Sequence, residues 1–126
     1  MEVLHTAIWV SDLKTTKAFY CDGIGLRPSR EFSSDGVQNH FVTGENGGEI
    51  QFKYDPEHDV NVTRDGVDHL AVSVDSTEEA TDHLTSEYGS ELIKPPTTLE
   101  TTGSVIAFVT DPDGYTVELV QESGAG

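Results

Sequence analysis

The chain has 126 residues, the length of one ordinary domain with its own hydrophobic core. Seven Lys and Arg residues against 23 Asp and Glu residues give a formal net charge of −16, and such a surface repels nucleic acid and anionic membranes. No run approaches about 18 consecutive apolar residues, and the single cysteine excludes an intramolecular disulfide, so we expect a cytoplasmic protein.

The first half of the chain predicts a β-α-β-β-β module. An alternating run from Leu4 predicts the first strand, and Ser11 or Asp12 can cap a helix that Gly23 and Gly25 end. Alternating runs between turn signals then predict three more strands, at about residues 27–32, 37–42 and 49–54.

The second half repeats this pattern. Residues 68–76 echo residues 4–12, because in each a histidine precedes an alternating run and a helix-capping cluster. Ser76 and Glu79 have the spacing of a capping box, and Gly89 is placed to end the helix. The later strands are predicted at about residues 91–94, 104–110 and 115–121.

The connecting segments complete the expected architecture. The polar stretch 56–65 predicts a linker between modules of about residues 1–57 and 66–122, and the threonine-rich stretch 95–103 predicts a mobile loop. Asp-Pro-Asp-Gly at 111–114 predicts a hairpin turn, with glycine where φ is positive. We therefore expect one α+β domain whose two modules form a curved half-barrel sheet.

Four side chains at equivalent places in the two modules predict a metal site. His5 and His69 stand at the start of each module's first strand, and Gln51 and Glu118 lie in each last strand. If the modules pair about a pseudo-twofold axis, these four can converge on one point. Two imidazoles, an amide oxygen and a carboxylate suit one divalent ion such as Zn²⁺, Ni²⁺, Co²⁺, Mn²⁺ or Fe²⁺.

The other histidines have no such symmetry. His58 lies in the linker and His83 in the second helix, and each lacks a counterpart in the other module. His40 either faces a substrate cavity or is an ordinary strand residue, and the second interpretation is favoured. Cys21 is expected to be a small half-buried residue.

Together these motifs resemble glyoxalase I, the lactoylglutathione lyases of the vicinal oxygen chelate superfamily. The resemblance spans nearly the whole chain, and its most specific part is 106–119, which includes Asp-Pro-Asp-Gly-Tyr; the other matching segments are 4–6, 10–13, 19–26 and 68–75. It implies the glyoxalase/bleomycin resistance/dioxygenase fold and a metalloenzyme. Such an enzyme converts the hemithioacetal of methylglyoxal and a thiol to a 2-hydroxyacyl thioester, by proton transfer through an enediolate that the metal stabilises.

The resemblance assigns ligand roles to His5, His69 and Glu118, with matching residue types. Gln51 stands where bacterial members usually carry glutamate, so it is expected to be a neutral spectator ligand. Glu118 is then the only ligand that can act as general base and acid. Trp9 replaces an arginine that binds the glutathione carboxylate, and Asp55 replaces an asparagine, so the thiol stays open.

Three other functions are alternatives. A methylmalonyl-CoA epimerase uses a similar ligand set in some members, but usually needs a second carboxylate base. An extradiol-type dioxygenase would bind iron through His5, His69 and Glu118, but such chains are typically longer. A metal-free binding module of the same superfamily would not need all four ligand-capable residues.

Two properties of the whole molecule are also expected. A half-open curved sheet leaves strand edges and apolar faces, which predicts a homodimer. Whether the metal ligands then come from one chain or two stays open. The acidic surface predicts adaptation to concentrated salt, with an ordinary acidic protein as the alternative.

Overall fold

The computed structural model describes residues 1–63 and 65–123, and the chain divides into two compact units, Met1–Asn61 and Val62–Gly126. The boundary falls in the predicted linker 56–65, whose described residues form no helix or strand. That both units belong to one domain stays a prediction. None of the described helices is long and apolar enough to cross a membrane.

The first unit has one helical region and one four-stranded sheet of order β1-β4-β3-β2. Strand β1 is parallel to β4, and the other neighbours are antiparallel. The elements are β1 His5–Trp9, α1 Leu13–Lys17, a π-helical segment Ala18–Ile24, β2 Arg27–Ser34, β3 Val37–Gly44 and β4 Gly47–Tyr54.

The helical region of this unit begins and ends at residues of the predicted types. The Asp12 side chain accepts a hydrogen bond from the Thr15 backbone N–H at 2.9 Å, so Asp12 is the N-cap. The π-helical segment ends at Gly25, whose φ of 107° belongs to the left-handed region. Tyr20 in this segment is fully buried, and its ring lies 5.0 Å from that of Phe52. The helical region therefore contacts the face of β4 that carries Phe52, opposite to that of its neighbour Gln51.

The second unit repeats the arrangement, with sheet order β5-β8-β7-β6 and β5 parallel to β8. Its elements are β5 Leu70–Ser73, α2 Thr77–Glu87, β6 Leu92–Thr98, β7 Val105–Thr110 and β8 Thr116–Gln121. The β-α-β-β-β order expected for each half is thus present in both.

Helix α2 is tied to its sheet at its first turn. The Ser76 hydroxyl accepts from the Glu79 backbone N–H at 3.2 Å, as its position predicts. The Thr77 hydroxyl donates to the Val105 carbonyl at 2.7 Å, and the Thr77 N–H donates to the Gln121 side chain at 3.0 Å. Leu84 is fully buried, as the apolar face of α2 requires.

The hairpin turn between β7 and β8 has the predicted geometry. Gly114 has a φ of 94°, and its N–H donates to the Asp111 carbonyl at 3.0 Å. The Asp111 carboxylate accepts from the backbone N–H groups of Asp113 and Tyr115, each at 2.9 Å. This bonding fixes the start of β8 and so the register of Glu118 against β7.

The prediction of a mobile loop at 95–103 is wrong for its first part. Strand β6 continues through Pro95 and Pro96 to Thr98, with shifts of register against β7. Prolines fit there because β6 is an edge strand, where a missing N–H breaks no inner ladder. The remaining loop is closed by hydrogen bonds from the Leu99 N–H to the Ser104 carbonyl at 2.8 Å and from the Gly103 N–H to the Leu99 carbonyl at 2.7 Å.

Candidate functional site

In the second unit, the structure brings together the two residues that the sequence paired. His69 directly precedes β5, and Glu118 lies in β8 opposite Ala71. The His69 Nε2 atom lies 3.1 Å from Glu118 Oε1. Both side chains are partly exposed, the imidazole at 32% and the carboxylate at 18%. They are therefore open to a small ligand.

The second ring nitrogen of His69 also has a partner. Nδ1 lies 2.7 Å from Asp68 Oδ2, so each ring nitrogen of His69 faces a carboxylate oxygen. A neutral imidazole carries one proton, so it can donate to only one of these two carboxylates and turns a lone pair toward the other. A second proton on the ring or a metal cation relieves the repulsion between that lone pair and the carboxylate. A carboxylate on the outer nitrogen is also the usual support of a metal-binding histidine, so the pair fits a divalent metal.

In the first unit, His5 and Gln51 share a face of the neighbouring parallel strands β1 and β4. Ala7 lies opposite Gln51, and His5 lies opposite Glu49. Gln51 is only 8% exposed, and its amide Nε2 donates to Asn39 Oδ1 at 2.8 Å. The Gln51 oxygen is thus left as the acceptor. Within the described part of the chain His5 and Gln51 are not in contact, so the structure supports only their common face.

A phenylalanine lies beside each histidine in the same way. The His5 ring meets Phe41 edge-on with centroids 5.6 Å apart, and the His69 ring meets Phe108 edge-on at 5.4 Å. Phe41 is paired with Gln51, and Phe108 is paired with Glu118. Neither phenylalanine was predicted from the sequence, although each stands ten residues before the ligand-type residue of its module, since 51 − 41 = 10 and 118 − 108 = 10.

Glu49 lies beside His5 and is held by two neighbours on β2. Its carboxylate accepts from the Ser29 hydroxyl at 2.7 Å and from Arg30 at 3.2 and 3.3 Å. The Ser29 and Arg30 hydrogen bonds hold the pKa of Glu49 below its ordinary value, although burial opposes this. The Arg30 guanidinium also lies 3.9 Å from the Phe41 ring centroid.

Lys53 and Trp9 lie opposite each other on the same face as Gln51. The Lys53 Nζ atom is 5.4 Å from the Trp9 ring centroid and 3.2 Å from Asn39 Oδ1. His58, from the predicted linker, stacks on Trp9 with ring centroids 4.2 Å apart. The half-buried lysine thus adds a cation to this face of a strongly acidic chain.

His40 lies on the opposite face of β3, since it neighbours Phe41. Its Nδ1 atom is 3.3 Å from Lys17 Nζ and 3.2 Å from Glu31 Oε2. Burial and the Lys17 charge lower the pKa of His40, and Glu31 opposes them. His40 therefore belongs to the helix side, away from the face that carries Gln51. Cys21 is half-buried as expected, and burial raises the pKa of its thiol.

The four predicted ligands thus form two pairs, one in each unit. Across residues 1–63 and 65–123, no group of three or more His, Cys, Asp or Glu side chains is placed to hold a metal ion. One site that joins all four residues therefore stays a prediction.

The relatives of the chain agree with the resemblance seen in the sequence. A protein of Synechocystis sp., named a probable lactoylglutathione lyase, is 33% identical over 130 residues, covering 98% of this chain and 97% of that protein. The lactoylglutathione lyase of Salmonella typhimurium is 30% identical over 134 residues, covering 100% of this chain and 96% of the enzyme.

Solved structures give the same result for the fold. Maize glyoxalase I matches 94% of this chain with a TM-score of 0.74 and 26% identity; the match spans 44% of the maize chain, less than half its length. The trypanothione-dependent glyoxalase I of Leishmania major has a TM-score of 0.83 and covers 97% of this chain and 87% of its own, but at 24% identity it supports the fold alone.

The model of the glyoxalase/bleomycin resistance protein/dioxygenase superfamily matches residues 2–119. This match covers both units, and with a four-stranded sheet in each unit it confirms the α+β fold class expected from the repeat. The chain belongs to the glyoxalase/bleomycin resistance protein/dioxygenase superfamily.

Proposed function

We propose that this chain is a metal-dependent, glyoxalase I-like lyase. It isomerises the hemithioacetal of methylglyoxal and a thiol to the 2-hydroxyacyl thioester. Full-length relatives at 30–33% identity that are named lactoylglutathione lyases support this reaction. The structural observation that carries the proposal is the 3.1 Å approach of His69 Nε2 to Glu118 Oε1.

The side chains that would hold the metal are His5, Gln51, His69 and Glu118. The repeated placement of the two pairs supports this set, as does the 3.1 Å contact between the His69 ring and the Glu118 carboxylate. These nitrogen and oxygen donors suit Zn²⁺, Ni²⁺, Co²⁺, Mn²⁺ or Fe²⁺. When bound, the metal supplies positive charge that stabilises negative charge developing on the substrate oxygens.

Glu118 moves the proton. It is the one carboxylate among the four side chains, it is partly exposed, and it lies on an inner strand that the adjacent hairpin fixes. It takes the proton from the carbon that bears sulfur and returns it to the neighbouring carbon. The hydroxyl proton passes to the other oxygen, so no atom is gained or lost. Gln51 is neutral and takes no part in the proton transfer.

The alternatives are less well supported. The relatives named above are lyases, which favours the isomerisation over epimerisation, oxygen insertion or plain binding. The epimerase also usually needs a second carboxylate base. Glu49, a carboxylate on the same face of the first sheet as Gln51, is already bonded to Ser29 and Arg30.

Location and assembly belong to the same proposal. We propose that the protein is cytoplasmic and forms a homodimer. We also propose that its acidic surface is an adaptation to concentrated salt. Sedimentation at micromolar concentration in molar KCl tests the homodimer, and a monomer at all concentrations would contradict it.

The function is tested by metal analysis and by assay of the loaded protein. Purified protein is stripped with a chelator, reloaded with each divalent ion, and given methylglyoxal with glutathione or other low-mass thiols while thioester formation is followed. We expect one metal per chain and metal-dependent thioester formation with at least one thiol. His69→Ala should abolish it, whereas His83→Ala, an exposed helix position, should not. Exchange at the α-carbon of methylmalonyl-CoA without any thioester formation would overturn the proposal in favour of the epimerase.

A further inference from the structure

Asn39 is a buried amide in the middle of the first sheet. It is 2% exposed and lies in β3, opposite Lys53 and diagonal to Gln51. Its Oδ1 atom accepts from Gln51 Nε2 at 2.8 Å and from Lys53 Nζ at 3.2 Å, and its Nδ2 atom donates to the Val37 carbonyl at 3.2 Å. A buried amide needs such partners, because an unpaired one costs about 1–3 kcal/mol.

These partners fix which way Asn39 points. If the amide turned over, its NH₂ group would meet the donors of Gln51 and Lys53, and its oxygen would meet the Val37 carbonyl. Every contact would then join two donors or two acceptors. The positive charge of Lys53 strengthens the observed orientation, since hydrogen bonds from charged donors are the stronger kind.

A fixed Asn39 also fixes Gln51. Because Asn39 presents an acceptor, Gln51 must turn its NH₂ group toward it, and Gln51 Oε1 is left on the other side. Among the described residues no donor is bonded to that oxygen. An amide has two unlike ends, and only its oxygen end binds a metal cation.

In the second unit the ligand-type residue is the carboxylate Glu118, and the positions equivalent to Asn39 and Lys53 can be compared. Counting from the equivalent phenylalanines, Ile106 corresponds to Asn39 and Val120 corresponds to Lys53, and these two are again paired. Both oxygens of Glu118 are acceptors, so that side chain needs no neighbour to choose between its ends. The polar pair therefore occurs beside the amide, and an aliphatic pair occurs beside the carboxylate.

We propose that Asn39, held by Lys53, is a positioning residue that turns the Gln51 amide so that its oxygen faces the metal. This inference rests on the proposed metal role of Gln51. Asn39 itself touches neither metal nor substrate in this scheme. Its effect is expected in the affinity for the ion before any effect on turnover, because supporting contacts of this kind typically change metal affinity by about 10–100-fold.

The test uses the purified full chain and Co²⁺ as the probe. Affinity is measured by competition with a chromophoric chelator, and the visible absorption of the Co²⁺ form reports its coordination. Asn39→Ile copies the second unit and should weaken Co²⁺ binding about 10–100-fold with an altered spectrum. Asn39→Asp keeps an acceptor toward Gln51 and Lys53 and loses only the bond to the Val37 carbonyl, so it should retain most of the affinity and the spectrum. Gln38→Ile, the same kind of change at the exposed neighbouring position, is the control and should have no effect.

A Gln51→Ala arm separates the two proposals. If Gln51→Ala binds Co²⁺ as tightly as the wild type, the ligand role of Gln51 is wrong and the inference falls with it. If Gln51→Ala weakens binding but folded Asn39→Ile does not, the ligand role stands and the positioning role is overturned. Equal losses in Asn39→Ile and Asn39→Asp would also overturn it, because they would indicate a merely structural role. Should Asn39→Ile fail to fold, Asn39→Ala removes the same amide without added bulk and takes its place.

Discussion

The two nitrogens of His69 face two carboxylates, and this arrangement decides what the residue can do. Asp68 lies 2.7 Å from Nδ1 and Glu118 lies 3.1 Å from Nε2. A neutral imidazole has one N–H proton, which can be donated to only one of these two carboxylates. The ring nitrogen that faces the other carboxylate then needs a second proton or a metal ion. The chemistry of the site is therefore set by Asp68 as well as by the residues proposed to bind metal.

Asp68→Asn should weaken metal binding by roughly tenfold, because an amide is a poorer acceptor for the Nδ1 proton and supports the imidazole less well. Metal affinity measured with Zn²⁺ or Co²⁺ checks this. Asp65→Asn removes a nearby exposed charge without the histidine contact and serves as the control. Equal affinity in wild type and Asp68→Asn, with a large loss in His69→Ala, would show that Asp68 has no such role.

At the residue scale, the repeat in the sequence predicted the pairs His5 with Gln51 and His69 with Glu118, but not the residues that surround them. His69 and Glu118 were predicted from symmetry, and the structure brings them into contact. Asn39 and Phe41 could not be predicted, because their roles depend on which strand pairs with which and in what register. Strand pairing and register cannot be read from the sequence alone.

At the scale of elements, local signals predicted most of the structure. The caps at Asp12 and Ser76 and the turn at 111–114 were identified from residue types whose side chains or φ values suit those positions. The extension of β6 was missed because Pro95 and Pro96 read as loop residues, and only the sheet order shows that the strand is an edge. The π-helical geometry of Ala18–Ile24 was not predicted, because capping residues indicate where a helix begins and ends but not which turn it adopts.

Gly114→Ala tests the hairpin that fixes β8. Alanine at a φ of 94° should lower the free energy of unfolding by about 1–2 kcal/mol, because L-residues are strained in the left-handed region. Urea unfolding measures the change. Gly66→Ala is the matched control, since Gly66 is outside that region, has open space around it, and should lose no stability. Equal effects at both positions would contradict the turn geometry.

His40 joins three elements, since its ring lies between Lys17 of α1 and Glu31 of β2. Burial and Lys17 lower its pKa from 6.5 despite Glu31, so the folded protein binds fewer protons there than the unfolded chain. Its contribution to stability is therefore complete above pH 6.5 and is lost as the pH falls below that value.

His40→Gln should lose less stability than the wild type when the pH is lowered through this range. Urea unfolding at constant ionic strength, above and below pH 6.5, measures the difference. The exposed His83→Gln is the control and should follow the wild type. Parallel pH profiles for wild type and His40→Gln would rule out the shifted imidazole as the cause.

At the scale of the whole molecule, the formal net charge of −16 predicts that stability depends on salt concentration. Self-repulsion acts over a distance of about 30 Å at 0.01 M salt and about 3 Å at 1 M. We expect the melting temperature to rise from dilute buffer to molar KCl. NaCl at the same ionic strength should act alike, because screening depends on ionic strength. A melting temperature that is independent of salt would contradict adaptation to concentrated salt.

The central claim is that Glu118 both binds the metal and moves the proton, and Glu118→Gln tests it most directly. Glutamine keeps an oxygen at the site but cannot take a proton, so metal should stay bound while turnover falls by about 10²-fold or more. Metal affinity and turnover are measured on the same preparation, with Glu122→Gln, an exposed glutamate just beyond β8, as the control. Retained metal with a lost rate is the result that this account predicts. Unimpaired turnover in Glu118→Gln would contradict it, even if the metal site survived.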